Sequence, residues 1–361
     1  MSQSVYRIVV LVALLSQVFC SELPENCINP AGKQGKCVPI RNCRSFVKLL
    51  QRSPIPPEDI RFLKASRCSE PNASGSSVFV CCPKVEKLLK PPYCGVGESD
   101  RLIGGQLAFL SEFPWTALIE YRRNSSDETR FRCGATLISS RYVLTAAHCA
   151  HEGSNDFWKA IGVRLGEHDL DTTKDCEFGE CAAPPITVGI ERIIVHENYN
   201  PRHKEHTDDI ALIRLDREIQ FSEDVAPICL PVEESVRNRN ITGTWDAKSV
   251  GWGVSESAIA SRQKLKSHLA ILDPKSCRKL DKATLRDTQF CTEMQSDRET
   301  CTADDGGSLV IRGHLNGLFG HNFLYGVASF GKDNLCGAKG EPAVFTDVTK
   351  YIEWIESNIE L

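Results

Sequence analysis

Cys301-Thr302-Ala303-Asp304-Asp305-Gly306-Gly307-Ser308-Leu309 is the stretch whose reading decides the fold. It gains meaning from two segments upstream. Thr145-Ala146-Ala147-His148-Cys149 follows an apolar run, and Asp208-Asp209-Ile210-Ala211-Leu212 comes later in the chain. Each piece alone is weak, but their order, together with Gly251-Trp252-Gly253 and Ser329-Phe330-Gly331, is specific. Outward from these segments, residues 102 onward read as short alternating runs broken by glycine and proline. Ile161, Val163 and Leu165 alternate with Gly162 and Arg164, and Val327-Ala328-Ser329-Phe330 is another such run. Many short strands with frequent turns predict an all-β barrel or sandwich. Only the tail reads clearly as helix: Tyr351, Ile352, Ile355 and Ile359, with Trp354, form an apolar stripe at three- and four-residue spacing.

Together with the Cys133 to Cys149 spacing, these segments resemble the chymotrypsin–trypsin family from about Leu102 to the C-terminus. The resemblance implies a mostly β fold of two antiparallel barrels, a C-terminal helix and a cleft between the barrels. It also implies a hydroxyl nucleophile, an imidazole base and a buried carboxylate that orients the imidazole. His148 and Asp209 match the base and the carboxylate. The family's third block is Gly-Asp-Ser-Gly-Gly-Pro. Here it is Ala303-Asp304-Asp305-Gly306-Gly307-Ser308, which puts Asp305 at the nucleophile's position.

A carboxylate there has no proton for His148 to remove, and it is a poor nucleophile towards an amide. Its charge opposes the oxyanion that must develop, and it favours imidazolium at His148, which takes the base out of service. Ala303 stands where the family has a glycine that donates its backbone N–H to the oxyanion. A Cβ at that place costs on the order of 1 kcal/mol or turns the peptide away. Losing one such donor lowers the rate by about 10²–10³. The block thus predicts an inactive homologue in which His148 and Asp209 persist as a structural pair.

Cys27, Cys37, Cys43, Cys68, Cys81 and Cys82 crowd into residues 27–82, too short a stretch to build much core without bridges. Spacing alone leaves their connectivity open. With its terminal Cys-Cys pair, the segment resembles the clip domain of arthropod extracellular proteases. That resemblance implies Cys27–Cys81, Cys37–Cys68 and Cys43–Cys82. Residues 83–101 read as a Lys- and Pro-rich linker. Arg101-Leu102-Ile103-Gly104-Gly105 resembles the family's activation site, where cleavage after Arg frees an ammonium that pairs with the carboxylate at the place of Asp304. The protease homologue domain is then 102–361. Cys94–Cys229 is the expected tether between linker and domain. Cys133–Cys149, Cys277–Cys291 and Cys301–Cys336 are the other pairs the family implies, and Cys176 and Cys181 are close enough to close a tiny loop.

Residues 1–20 read as a signal peptide: Arg7, an apolar core from Ile8 to Leu15, and Val18-Phe19-Cys20 as cleavage site. The chain has 17 cysteines; Cys20 leaves with the leader, and the remaining even set can pair fully in an oxidising, extracellular compartment. The net charge of −4 gives no reason to expect nucleic acid or an anionic membrane as partner, and no later stretch is long enough to span a bilayer. Sequons at Asn72, Asn124 and Asn240 are compatible with surface glycans.

Glu299 matches the position that gives trypsin its preference for basic residues, with Ser329, Gly331 and Ala343 along the same pocket. Glu is longer than the usual Asp, and Ala343 replaces a glycine, so the pocket shrinks. Glu167 and Asp169 lie in a loop that binds calcium in some relatives; otherwise no cofactor is expected. His196, His203 and His206 match no standard metal spacing and read as a solvated loop. The resemblance implies a non-catalytic regulator of an extracellular immune or melanisation-type cascade. Its partners would be active clip proteases, their protein substrates and an upstream trypsin-like activator. The competing expectations are an active trypsin-like endopeptidase and an adhesive or pattern-recognition protein.

Overall fold

The glycine-punctuated runs become strands that close on themselves twice. The computed structural model describes residues 26–50, 54–68, 78–83, 87–97, 107–151, 157–203, 205–244, 247–253, 261–279, 285–294, 304–315, 318–331 and 342–360. The expected signal peptide, Asn72, Arg101, Leu102, Glu299, Ala303 and the Cys301–Cys336 pair lie outside them. No helix among the described residues is long and apolar enough to cross a membrane.

The chain divides into two units, 1–86 and 87–361. In the first, β1 (Cys27–Ile28), β2 (Gln34–Pro39) and β3 (Phe79–Pro83) form an antiparallel sheet. Bridges Cys27–Cys81, Cys37–Cys68 and Cys43–Cys82 staple it. Among the described residues its buried apolar cluster is Cys43, Phe46, Leu63 and Val80, a small core that the covalent links reinforce. Two helices that the apolar pattern alone did not predict, Arg44–Leu50 and Pro57–Ala65, complete the unit. Pro57 occupies the first turn of the second helix, where its missing N–H leaves no hydrogen bond unmade.

In the second unit, β4 (Thr116–Arg123), β5 (Thr129–Ser139), β6 (Tyr142–Thr145) and β7 (Trp158–Leu165) lead into a small hairpin of β8 (Cys176–Glu177) and β9 (Glu180–Cys181). β10 (Ile186–Val195) and β11 (Ala211–Leu215) then complete a closed barrel in the order β10-β11-β6-β5-β4-β7. β12 (Ala247–Gly251), β13 (Leu265–Ile271), β14 (Gln289–Met294), β15 (Ser308–Leu315), β16 (Leu318–Gly331) and β17 (Ala343–Asp347) close a second, ordered β12-β13-β14-β17-β16-β15. Closure leaves neither barrel with a free sheet edge. The alternation in β7 has its predicted consequence: Val163 and Leu165 are fully buried in the first barrel.

The predicted terminal stripe folds as the helix Ile352–Asn358, with Tyr351, Ile352, Ile355 and Ile359 buried in the main core. Fully burying a side chain such as Ile355 contributes about 1.5–3 kcal/mol. Residues 87–97, expected to be linker, instead belong to the second unit. Leu88 is buried in its main core, and Lys87 Nζ donates to the Glu356 carbonyl at 2.9 Å. Cys94 is bridged to Cys229, and Gly95 exchanges backbone bonds with Pro227 and Asn322. The segment is therefore a strap bound along its length, which its Lys and Pro content concealed.

Candidate active site

β6 ends at Thr145 and runs straight into the one-turn helix Ala147–Ala150, which carries His148. Ala147, Cys149 and Ala150 are buried, and Cys149 is bridged to Cys133 on β5, so the turn has little freedom. Asp209 lies just ahead of β11 and is fully buried. Its Oδ1 accepts the His148 backbone N–H at 2.9 Å, and its Oδ2 pairs with His148 Nδ1 at 2.8 Å. The same Oδ2 accepts the Ser329 hydroxyl at 2.6 Å. Burial alone would raise the Asp209 pKa, but the charge and hydrogen bond of His148, aided by Ser329, hold it below the usual carboxylate value. His148 keeps its side chain 15% exposed, open to the cleft.

The site is made at the seam of the two barrels. Asp209 comes from the first, Ser329 from β16 of the second, and the Asp209 carbonyl accepts Thr346 Oγ1 of β17 at 2.9 Å. The 304–307 turn closes the seam from the other side. The Asp305 carbonyl accepts Gly134 N–H at 2.7 Å, and Thr145 Oγ1 donates to the Gly134 carbonyl. Gly306 has φ +75°, and a Cβ on it would overlap Thr145 Oγ1, so only glycine fits. The turn is thereby held against Thr145 and Ala146, next to the His148 helix. Asp304 is buried, with Oδ1 accepting the Trp252 N–H at 2.8 Å. A Cβ on Gly251 would overlap that carboxylate, which explains the glycine of Gly251-Trp252-Gly253.

The structure places several more of the expected residues. Ser329, read as pocket wall, also donates to Asp209. Gly331 and Ala343 face each other across β16 and β17, with Ala343 fully buried. Asn124 and Asn240 are exposed, as glycan acceptors must be. Of the three histidines only His203 is exposed as expected. His196 is buried between Tyr351 and Trp354, with ring centroids 5.2 and 5.1 Å away. His206 is half-buried in the site, 6.3 Å from the His148 ring and 5.2 Å from that of Phe330. Burial lowers its pKa, so it stays a neutral wall beside His148. Sequence reading missed this because it grouped His206 with its neighbours in the chain; its position three residues before Asp209 was the available signal.

The donor sets do not suit a metal. Among the described residues the one close grouping is Cys133, His148 and Cys149, whose sulfurs are bonded to each other. In the loop expected to take calcium, buried Glu167 already accepts from Arg164 and from the His168 N–H, each at 3.0 Å. Asp175 accepts from Thr172 and from the Asp169 N–H. Lys264, buried nearby with its Nζ 5.3 Å from the Trp252 ring centroid, feels Glu167, Asp175, Asp224 and Glu112 as its attractive charges. The Glu167 carboxylate is thus already engaged by the protein's own donors, and Asp169 Oδ1 accepts the Asp171 N–H at 3.1 Å.

Two six-stranded barrels with an imidazole–carboxylate pair at their seam define the chymotrypsin-like class. Residues 102–355 match the trypsin family and residues 27–82 match the regulatory CLIP domain of proteinases. The chain is 42% identical to CLIP domain-containing serine protease B4 of Anopheles gambiae, over 98% of this chain and 97% of that protein. It is 33% identical to melanization protease 1 of Drosophila melanogaster, over 95% of each. The crystal structure of the Drosophila Grass clip serine protease of the Toll pathway superposes with a TM-score of 0.66 at 29% identity, covering 93% of this chain and 97% of that one. The chain belongs to the clip-domain branch of the trypsin family.

Proposed function

We propose that this chain is a secreted, non-catalytic clip-domain protease homologue that regulates an extracellular immune cascade of the melanisation type. The observation that carries the reading is the pairing of a complete His148–Asp209–Ser329 hydrogen-bond chain with an aspartate, Asp305, at the nucleophile's place. A carboxylate there supplies neither the proton nor the nucleophile that amide cleavage requires. The expected switch is cleavage after Arg101, with Asp304 as the acceptor of the new ammonium. The strap at 87–97 and Cys94–Cys229 would keep the clip domain attached afterwards. Active clip proteases and their substrates are the partners. The melanisation assignment draws on the likeness to melanization protease 1 of Drosophila melanogaster.

The test uses full-length chain cleaved at Arg101 in two assays. One measures hydrolysis of Arg and Lys peptides and labelling by a serine-directed fluorophosphonate. The other measures stimulation or suppression of a purified clip protease acting on its protein substrate. Silence in the first with an effect in the second supports the proposal. The similarity to an Anopheles relative named as a protease favours an active endopeptidase as second reading, which robust peptide hydrolysis would establish.

A further inference from the structure

An open cleft of about 540 Å³ lies in the second unit between the turn Glu234–Arg237 with its following loop and the segment leading into the last helix. Arg237, Arg239 and Lys350 line it, and among the described residues none of the three forms an ion pair. In a chain whose net charge is −4, three cations against the carboxylates of Asp347 and Glu353 leave this concavity with a small local excess of positive charge. Asp347, also in the wall, feels the Lys350 charge, which opposes the upward push of burial on its pKa. One of its oxygens accepts both the N–H and the hydroxyl of Thr349, capping the short helix that follows.

We infer that this cleft binds an acidic saccharide. The volume lies within the range of ligand pockets, roughly 300–1,000 Å³, but most such pockets are lined mainly by apolar side chains. This one presents guanidinium and ammonium donors, the Asn238 amide and the exposed Glu353 carboxylate, beside the aliphatic surface of Ile241. Guanidinium forks match the planar or tetrahedral oxygens of carboxylate and sulfate. Glu353 and Asn238 offer acceptors for sugar hydroxyls, and Ile241 offers a surface for the C–H face of a ring. A densely charged polyphosphate or polyglutamate has no use for these acceptors and is repelled by Glu353 and Asp347. The site stands apart from His148 and Asp209 and does not depend on whether Asp305 permits catalysis.

Titration calorimetry of the full-length chain with a heparin hexasaccharide, a neutral glucan hexaose, a polyphosphate of equal charge and a glutamate hexapeptide tests the inference. Asn240 is exposed beside Arg239 and carries a sequon, so the wild type and Asn240→Gln are titrated in parallel. The expected result is heparin binding in at least one of these, preferred over the other probes. It weakens about tenfold or more in Arg237→Ala/Arg239→Ala, as expected for losing charge-assisted hydrogen bonds. Glu353→Gln should relax the discrimination against polyphosphate without abolishing saccharide binding. No heparin binding in either protein, binding unchanged by the double substitution, or tighter binding of polyphosphate or peptide would overturn the assignment.

Discussion

Ser329 donates its hydroxyl to Asp209 Oδ2 at 2.6 Å, so the buried carboxylate is fully supplied with donors. Two more come from His148, through its backbone and its ring. The apparatus that orients an imidazole is complete, and the proposed reading puts Asp305 at the nucleophile's place. That reading, one half retained without the other, has measurable consequences.

On the proposed reading, changes in that block restore the chemistry. After cleavage at Arg101, Asp305→Ser should acquire slow hydrolysis of Arg or Lys peptides. Ala303→Gly/Asp305→Ser should be faster by about 10²–10³, the worth of one oxyanion donor. Fluorogenic peptide assays read both. A folded but silent double variant would mean that the pocket around Ala343 and Glu299, or the Asp304 switch, has been lost as well.

Ser329→Ala should destabilise the protein by about 1–3 kcal/mol, because it leaves Asp209 short of a donor in a fully buried place. The pH dependence has a definite sign. Asp209 has a lowered folded pKa, so its contribution is present above the unfolded carboxylate value and is lost as pH falls through the folded one. The variant weakens that lowering. Its acid-unfolding midpoint, followed by circular dichroism, should move to higher pH.

Lys264 is pushed down to about 8 from 10.5 by burial, against the pull of Glu167, Asp224, Asp175 and Glu112. The unfolded chain therefore holds this proton more tightly than the folded one between those two values, and the residue's contribution to stability rises with pH across that window. Below about 8 the burial penalty is fully present. Urea unfolding of Lys264→Met should show that rise removed. An unchanged profile would place the titration elsewhere.

The strap at 87–97 should be energetically part of the barrel unit. Leu88→Ala removes a side chain that is 4% exposed and should cost about 2–5 kcal/mol, lowering the melting temperature of the full-length chain. A flexible linker would show almost no effect at this position.

The sequence by itself determined the class, because its evidence is local. The His148 turn, the Asp209 pair and the 304–307 block each occupy a few consecutive residues, and their chain order needs no distances. The short alternating runs and the terminal stripe likewise carry their own periodicity, as Val163, Leu165 and Ile355 show by their burial. What only the tertiary structure decided is everything that depends on which strands become neighbours. The pairing of β16 with β17 points Ser329 at Asp209 and sets Gly331 opposite Ala343. The barrel seam turns His206 into a wall of the site, burial sets Lys264 beside the Trp252 ring, and packing of Leu88 converts a linker into a strap. Periodicity and motif report on a residue's own stretch of chain, whereas desolvation and hydrogen-bond partnership are set by groups that sequence leaves tens or hundreds of positions away.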